Sequence, residues 1–279
     1  SASFEGRCSD WNAASMAPSV LLALPRGPST SGSRASQHGA APSRRVESDL
    51  RQALLRDELV LLYQPIISLA AGRTTGFEAL VRWNHPRRGT LLPDAFIPLA
   101  EETGLIVPLG LWVLREAAGQ LRRWRDAGAV GDDIVVSSNL SPRQFLEPDL
   151  VERVAEILRE EGVPADRLML EVTETALMQD PRQTARTLEA LRDLGLRLCL
   201  DDFGTGYSSL AHLRRFPLDT LKVDRSFVGR LDRSPRDLQL VASITSLARS
   251  LGIHAIVEGV ETTAQLDRVR GLRPREVQG

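Results

Sequence analysis

Two hydrophobic periods take turns along this chain. Short, nearly continuous apolar runs recur at "LVLLYQPII" (from Leu59), "GFEALVRW" (Gly76), "DIVVSSNLS" (Asp133), "LMLEVTE" (Leu168), "LRLCLDDFG" (Leu196), "TLKVDRSFV" (Thr220) and "HAIVEGVE" (His254), and "EVQG" at the end opens an eighth. Their length and β-branched content predict strands. Between them apolar residues fall three to four apart. "VPLGLWVLREAAGQLRRWRDAG" sets Leu111, Leu114, Ala118, Leu121 and Trp124 on one helical face, and Gly128 ends it. Asp180-Pro181 and Ser234-Pro235 open two further helices that Gly195 and Gly252 close, and Thr262 with Gln265 forms a capping-box pattern. A short amphipathic helix, "ESDLRQALLRDEL", precedes the first strand.

Alternating strands and helices, with strands apolar on both faces, predict an α/β fold of parallel strands covered by helices. About eight such units over roughly 230 residues match a (β/α)8 barrel of the TIM type. An open doubly wound sheet is the alternative, weakened because no glycine-rich dinucleotide fingerprint follows the first strand. Residues 1–46 are rich in Ala, Ser, Gly, Pro and Arg without a period and read as a disordered, low-complexity leader or linker, with the folded domain at 47–279. The chain lacks an initial Met and stops at "EVQG", so both ends read as cut.

A net charge of -1 gives no general attraction to DNA, RNA or anionic lipid, so a phosphate-bearing ligand needs a local site. Cys8 and Cys199 form neither a disulfide framework nor a metal cluster, which fits a reduced cytoplasm. "SVLLALP" is too short to span a bilayer, and no basic segment precedes it.

Polar groups cluster where the strands end: Glu78, Asn139, Glu171 and Glu174, Asp201 and Asp202, Lys222 and Asp224, Glu258 and Glu261. Singly, each has an ordinary explanation as a solvated loop acid, a helix cap or an ion-pair partner. Jointly they differ, because strand ends of such folds converge. Carboxylates sharing one poorly solvated mouth resist ionisation unless positive charge lies among them. One lysine cannot balance four acids, whereas hard divalent cations such as Mg²⁺ or Mn²⁺ take carboxylate and amide oxygens. Adjacent Asp201 and Asp202 can serve two ions at once, and a pair roughly 3.5–4 Å apart suits in-line displacement at phosphorus. Gly204 and Gly206 allow a close turn there. Tyr63 and Gln64 could face a base and Arg82 a phosphate, against core packing for Tyr63 and a surface ion pair for Arg82. His212 reads as structural and the arginines near Arg122 as a solvated face. No serine-hydrolase elbow is present.

These residues resemble the EAL-domain family of cyclic di-GMP phosphodiesterases. Glu78-Ala79-Leu80 is the name motif, and "YQPI", "NLSPRQF", "LEVTET", "DDFGTGYSSL", "LKVDRSFV", "VEGVET" and "VQG" follow in family order. The resemblance implies a modified (β/α)8 barrel with an antiparallel first strand. It implies opening of cyclic di-GMP to linear pGpG with two Mg²⁺ or Mn²⁺ ions. By position, Glu78, Asn139, Glu171, Asp201, Asp202 and Glu258 would be metal ligands. Lys222 would orient the attacking water, Glu258 would act as general base, Glu174 would steady the loop from Phe203 to Ser209, and Gln278 would complete the site. Gln64, Leu80 and Arg82 would bind substrate. Pairing through the segment from Phe203 to Phe216 implies a homodimer. The family fold continues past this point with a closing helix, so the resemblance implies a barrel truncated at its C-terminal end, with an edge left uncovered. Ser138 and Pro274 depart from the family pattern. Two other functions fit the same residues: a receptor that binds cyclic di-GMP without cleaving it, and a metal-dependent phosphodiesterase for another nucleotide.

Overall fold

A computed structural model describes residues 40–204, Leu213 and 215–279, with side chains described from Val46 onward. Eight of its strands close into a ring. β1 (Leu59–Ser68) pairs antiparallel with β2 (Arg73–His85) along its whole length. β4 (Val135–Asn139), β5 (Leu168–Thr173), β6 (Arg197–Phe203), β7 (Thr220–Val223), β8 (His254–Glu258) and β9 (Glu276–Gln278) then follow β2 in parallel. β9 returns to β1 antiparallel and shuts the ring. The barrel with an inverted first strand is therefore present, and the open sheet is excluded. Three residues of β9 bond both neighbours, and the ring closes through them.

Period-two alternation builds two cores from the same strands. Outward residues such as Phe77, Val136, Leu170, Leu200, Leu221 and Val257 pack under the helices. Inward Ile66, Val135, Met169, Cys199 and Ile256 form a separate cluster that plugs the barrel. Gly76 is required where β2 meets β4, because a Cβ there would lie 2.7 Å from the Val135 carbonyl oxygen.

Helix ends follow their sequence signals. Asp180 accepts the Arg182 and Gln183 N–H groups ahead of α6 (Pro181–Asp193). Ser234 caps α8 (Pro235–Ser250), and Thr262 and Gln265 make a complete capping box on α9 (Thr263–Leu272). Glycines 128, 195 and 252 all adopt positive φ just past helix ends.

Several elements differ from expectation. α1 runs Ala40–Ala53, so it starts inside the stretch read as leader; the rest of that stretch, 1–39, lies outside the described residues. β7 stops at Val223 because Asp224 accepts the Ser226 N–H and starts a short helix, α7 (Arg225–Val228). α4 (Leu150–Glu161), the helix expected after "NLSPRQF" without limits, buries Leu150, Val154 and Ile157 on one face. β3 (Gly89–Leu91), a three-residue hairpin strand on β2, is too short to carry a period. With α2 (Ile97–Thr103) and α3 (Ile106–Asp126) it joins α1 around a second apolar cluster of Leu50, Trp83, Phe96 and Leu109.

Candidate active site

The polar layer sits two residues beyond the apolar plug. Counting two on from Gly76, Val135, Met169, Cys199, Thr220, Ile256 and Glu276 gives Glu78, Ser137, Glu171, Asp201, Lys222, Glu258 and Gln278. Counting back from Ile66 on the inverted strand gives Gln64, which stands opposite Glu78. One parity rule thus lines the carboxyl-end mouth with acids and amides.

Lys222 is the hub. Its Nζ lies 2.9 Å from Glu78 Oε2, 2.8 Å from Glu171 Oε2, 2.6 Å from Glu258 Oε1 and 3.6 Å from Asp201 Oδ1. It is 1% exposed. Asn139 Nδ2 donates to Glu78 Oε1 at 3.0 Å, and Gln278 Nε2 donates to Glu78 Oε2 at 2.6 Å. The carboxylates come from four strands.

Adjacent side chains on a regular strand point to opposite faces, so Asp201 and Asp202 need an irregularity to act together. β6 has one: its register with β7 shifts between Leu200 and Phe203, and Asp202 adopts φ 55. Oxygens of Asp201, Asp202 and Glu258 consequently lie within 4.8 Å of one another.

One ammonium does not neutralise this group. Burial pushes Glu171 up to about 8, with Glu78 and Asp201 adding to the rise and Lys222 opposing it. Burial likewise raises Glu258 to about 7 and moves Asp201 and Asp202 upward. Glu78 alone stays below the usual carboxylate range: burial pushes it up, but Lys222, Gln278 and Asn139 outweigh that. Burial disfavours the charged form of Lys222, yet the four acids hold its pKa well above the ordinary value. Four of the five acids thus resist ionisation, which positive charge in addition to Lys222 would relieve.

The donor set fits a divalent cation. Glu171 Oε1 is buried with no hydrogen-bond partner among the described residues, and hard carboxylate and amide oxygens surround it. Asp201, Asp202 and Glu258 offer a second convergent group.

Of the other expected residues, Leu80 and Arg82 share the inward face of β2 with Glu78, and their partners across the hairpin are Leu62 and Val60. Arg82 is half-buried; its guanidinium donates to the Val81 carbonyl at 2.8 Å and makes no ion pair among the described residues. Glu174 is buried at the start of α5 (Glu174–Gln179), with Oε2 unpartnered among the described residues. The loop it was expected to steady, and the segment expected to pair copies, lie for the most part outside the described residues, as does His212. Tyr63 points outward and packs edge-on to Trp124 at 4.7 Å, so it belongs to the core rather than to a base. Ser137 was missed: it is fully buried, sits beside Glu78 in register and has an unpartnered Oγ among the described residues. Its parity with Asn139 is the signal that could have found it.

Residues 47–279 match the EAL domain family. This chain belongs to that family. Similar curated proteins include the cyclic di-GMP phosphodiesterase NbdA of Pseudomonas aeruginosa, 48% identical over 234 residues, or 84% of this chain and 30% of that protein. Another is the bifunctional diguanylate cyclase/cyclic di-GMP phosphodiesterase MucR of the same organism, at 45% identity over 83% of this chain and 33% of that protein. The EAL domain therefore spans about a third of the length of the curated relatives it matches. A solved PaMucR phosphodiesterase in complex with c-di-GMP superimposes with a TM-score of 0.80 at 43% identity, covering 84% of this chain and 94% of that one. Among the described residues, no helix is long and apolar enough to cross a membrane.

Proposed function

We propose that this EAL domain hydrolyses cyclic di-GMP to linear pGpG. The convergence of Glu78, Glu171, Asp201 and Glu258 on the Lys222 ammonium, beside the face carrying Gln64, Leu80 and Arg82, carries the reading. The similarity to NbdA and to the c-di-GMP-bound PaMucR phosphodiesterase supports the choice of substrate. Glu78, Asn139, Glu171, Asp201, Asp202 and Glu258 would hold two Mg²⁺ or Mn²⁺ ions. When bound, these ions supply Lewis acidity toward the phosphoryl oxygens and the departing oxygen.

The chain's own groups divide the remaining work. Arg82 offers a charged, forked donor to a phosphate, Gln64 an amide to a base edge, and Leu80 an apolar wall. Lys222 keeps its proton, so it orients water by donation and offsets developing negative charge rather than serving as base. Glu258, at the mouth beside the Lys222 ammonium, would accept the water proton. The water oxygen bonds to phosphorus, the bond from phosphorus to the 3′ oxygen breaks, and that oxygen leaves as a hydroxyl by taking a proton from solvent, to which Glu258 returns the one it accepted. Gln278 fixes Glu78, and Glu174 would steady the loop that follows Phe203.

Incubating the protein with cyclic di-GMP and Mg²⁺ or Mn²⁺, with chromatographic detection of pGpG, tests this. Turnover to pGpG is expected. Saturable binding without turnover would assign the domain as a receptor. Neither binding nor turnover by folded protein would remove both readings, and hydrolysis of other cyclic nucleotides alone would redirect the substrate.

A further inference from the structure

The barrel's other end carries a second polar cavity of opposite sign. It has a volume of about 660 Å³ and lies where β6, β7, β8 and β9 begin. Arg192, Arg197, Arg275 and His254 line it, with Asp219 as the one carboxylate among the described residues of its wall. Among the described residues none of the three arginines forms an ion pair. Arg275 Nη1 reaches only the ring of His254, 2.6 Å from Nε2. Asp219 is already engaged, accepting the Leu198 N–H at 2.9 Å. Asp201 lies four positions beyond Arg197, so the cavity stands roughly 13 Å from the acids along one strand.

Three guanidinium groups around one cavity outnumber its Asp219 carboxylate, and guanidinium forks match phosphoryl oxygens in shape as well as charge. The volume falls in the range of about 300–1,000 Å³ typical of small-ligand sites. We propose that this cavity binds a small phosphorylated anion through Arg192, Arg197 and Arg275, as a site separate from the acidic mouth. Leu213 and Ile253 in its wall provide apolar surface for an organic group attached to the phosphoryl moiety. Burial first, then Arg275 and Arg197, hold the His254 pKa below its usual value against the opposing pull of Glu276 and Asp219.

Calorimetric titration of the full chain with inorganic pyrophosphate, in chelator-containing buffer free of divalent cations, tests the site. Saturable one-to-one binding is expected. Arg197→Gln and Arg275→Gln should each weaken it at least tenfold, and Arg192→Gln gives a third, exposed variant should either fold poorly. Arg115→Gln, on the far helical surface, and Arg82→Gln, at the acidic mouth, should leave it unchanged. Absence of saturable binding overturns the proposal. So does loss on Arg82→Gln, which would put the anion at the mouth, or equal weakening by Arg115→Gln, which would mean diffuse attraction. A parallel titration with adenosine 5′-diphosphate separates the two sources of the ligand chemistry. Tighter binding than pyrophosphate assigns an organic group to the apolar wall, and equal binding assigns the phosphoryl groups alone.

Discussion

Lys222 is one ammonium that four acids share, and its removal shows what each is worth. Lys222→Met leaves the carboxylates buried together without their common partner, and a loss of about 3–5 kcal/mol in unfolding free energy is expected. Urea denaturation with an unchanged slope would establish it. Glu78→Gln keeps the shape but removes the charge, and turnover should fall by about 100-fold or more. Full activity in that variant would refute Glu78 as a ligand. Arg82→Ala should raise KM about tenfold with kcat little changed, as expected of a group that binds substrate equally in ground and transition states. The acids were readable from the sequence because their identities and strand-end positions are local properties. Ser137 was not singled out, since a serine in an apolar run gives no chemical signal until its parity is fixed by neighbours. Tyr63 and Gln64 are adjacent and of similar polarity, and only the pleat sends one to Trp124 and the other to the mouth.

Among the elements, β6 departs most from regularity, and the site depends on that departure. Asp202 holds a left-handed backbone that asparagine and aspartate tolerate better than alanine. Asp202→Asn should therefore leave stability nearly intact while weakening Mn²⁺ affinity, whereas Asp202→Ala should in addition lose about 1 kcal/mol. Paired calorimetry and denaturation of the two variants separate charge from conformation. Gly76→Ala forces β2 away from the Val135 carbonyl, with an expected cost of about 1–3 kcal/mol and a fall in activity, because Glu78 lies two residues further along the displaced strand. Helix ends were legible in the sequence because caps are written in neighbouring residues, as at Asp180-Pro181 and Thr262-Gln265. The limits of β7 were not, because "TLKVDRSFV" has strand-like composition throughout and Asp224 capping Ser226 decides where it stops. The bulge in β6 left no trace in the apolar pattern either.

For the whole molecule, the barrel's direction and closure come from pairing, which the alternation of elements does not encode. The inverted β1 was available only through resemblance to a family; the hydrogen-bond register with β2 and β9 makes it a structural fact. Closure brings acids distant in sequence to one rim and leaves arginines at the opposite rim. Bound dications stabilise only the folded arrangement, so Mn²⁺ should raise the thermal midpoint in a concentration-dependent way, by about 2.7 kcal/mol of stabilisation at a hundredfold excess over Kd. Chelation should reverse that gain and remove hydrolysis together. The most direct test is anomalous diffraction from crystals soaked in Mn²⁺. Two peaks are expected at the mouth, one among Glu78, Asn139 and Glu171 and one among Asp201, Asp202 and Glu258. A well-ordered mouth with no peak, Lys222 still spanning its four carboxylates, would contradict the dication account.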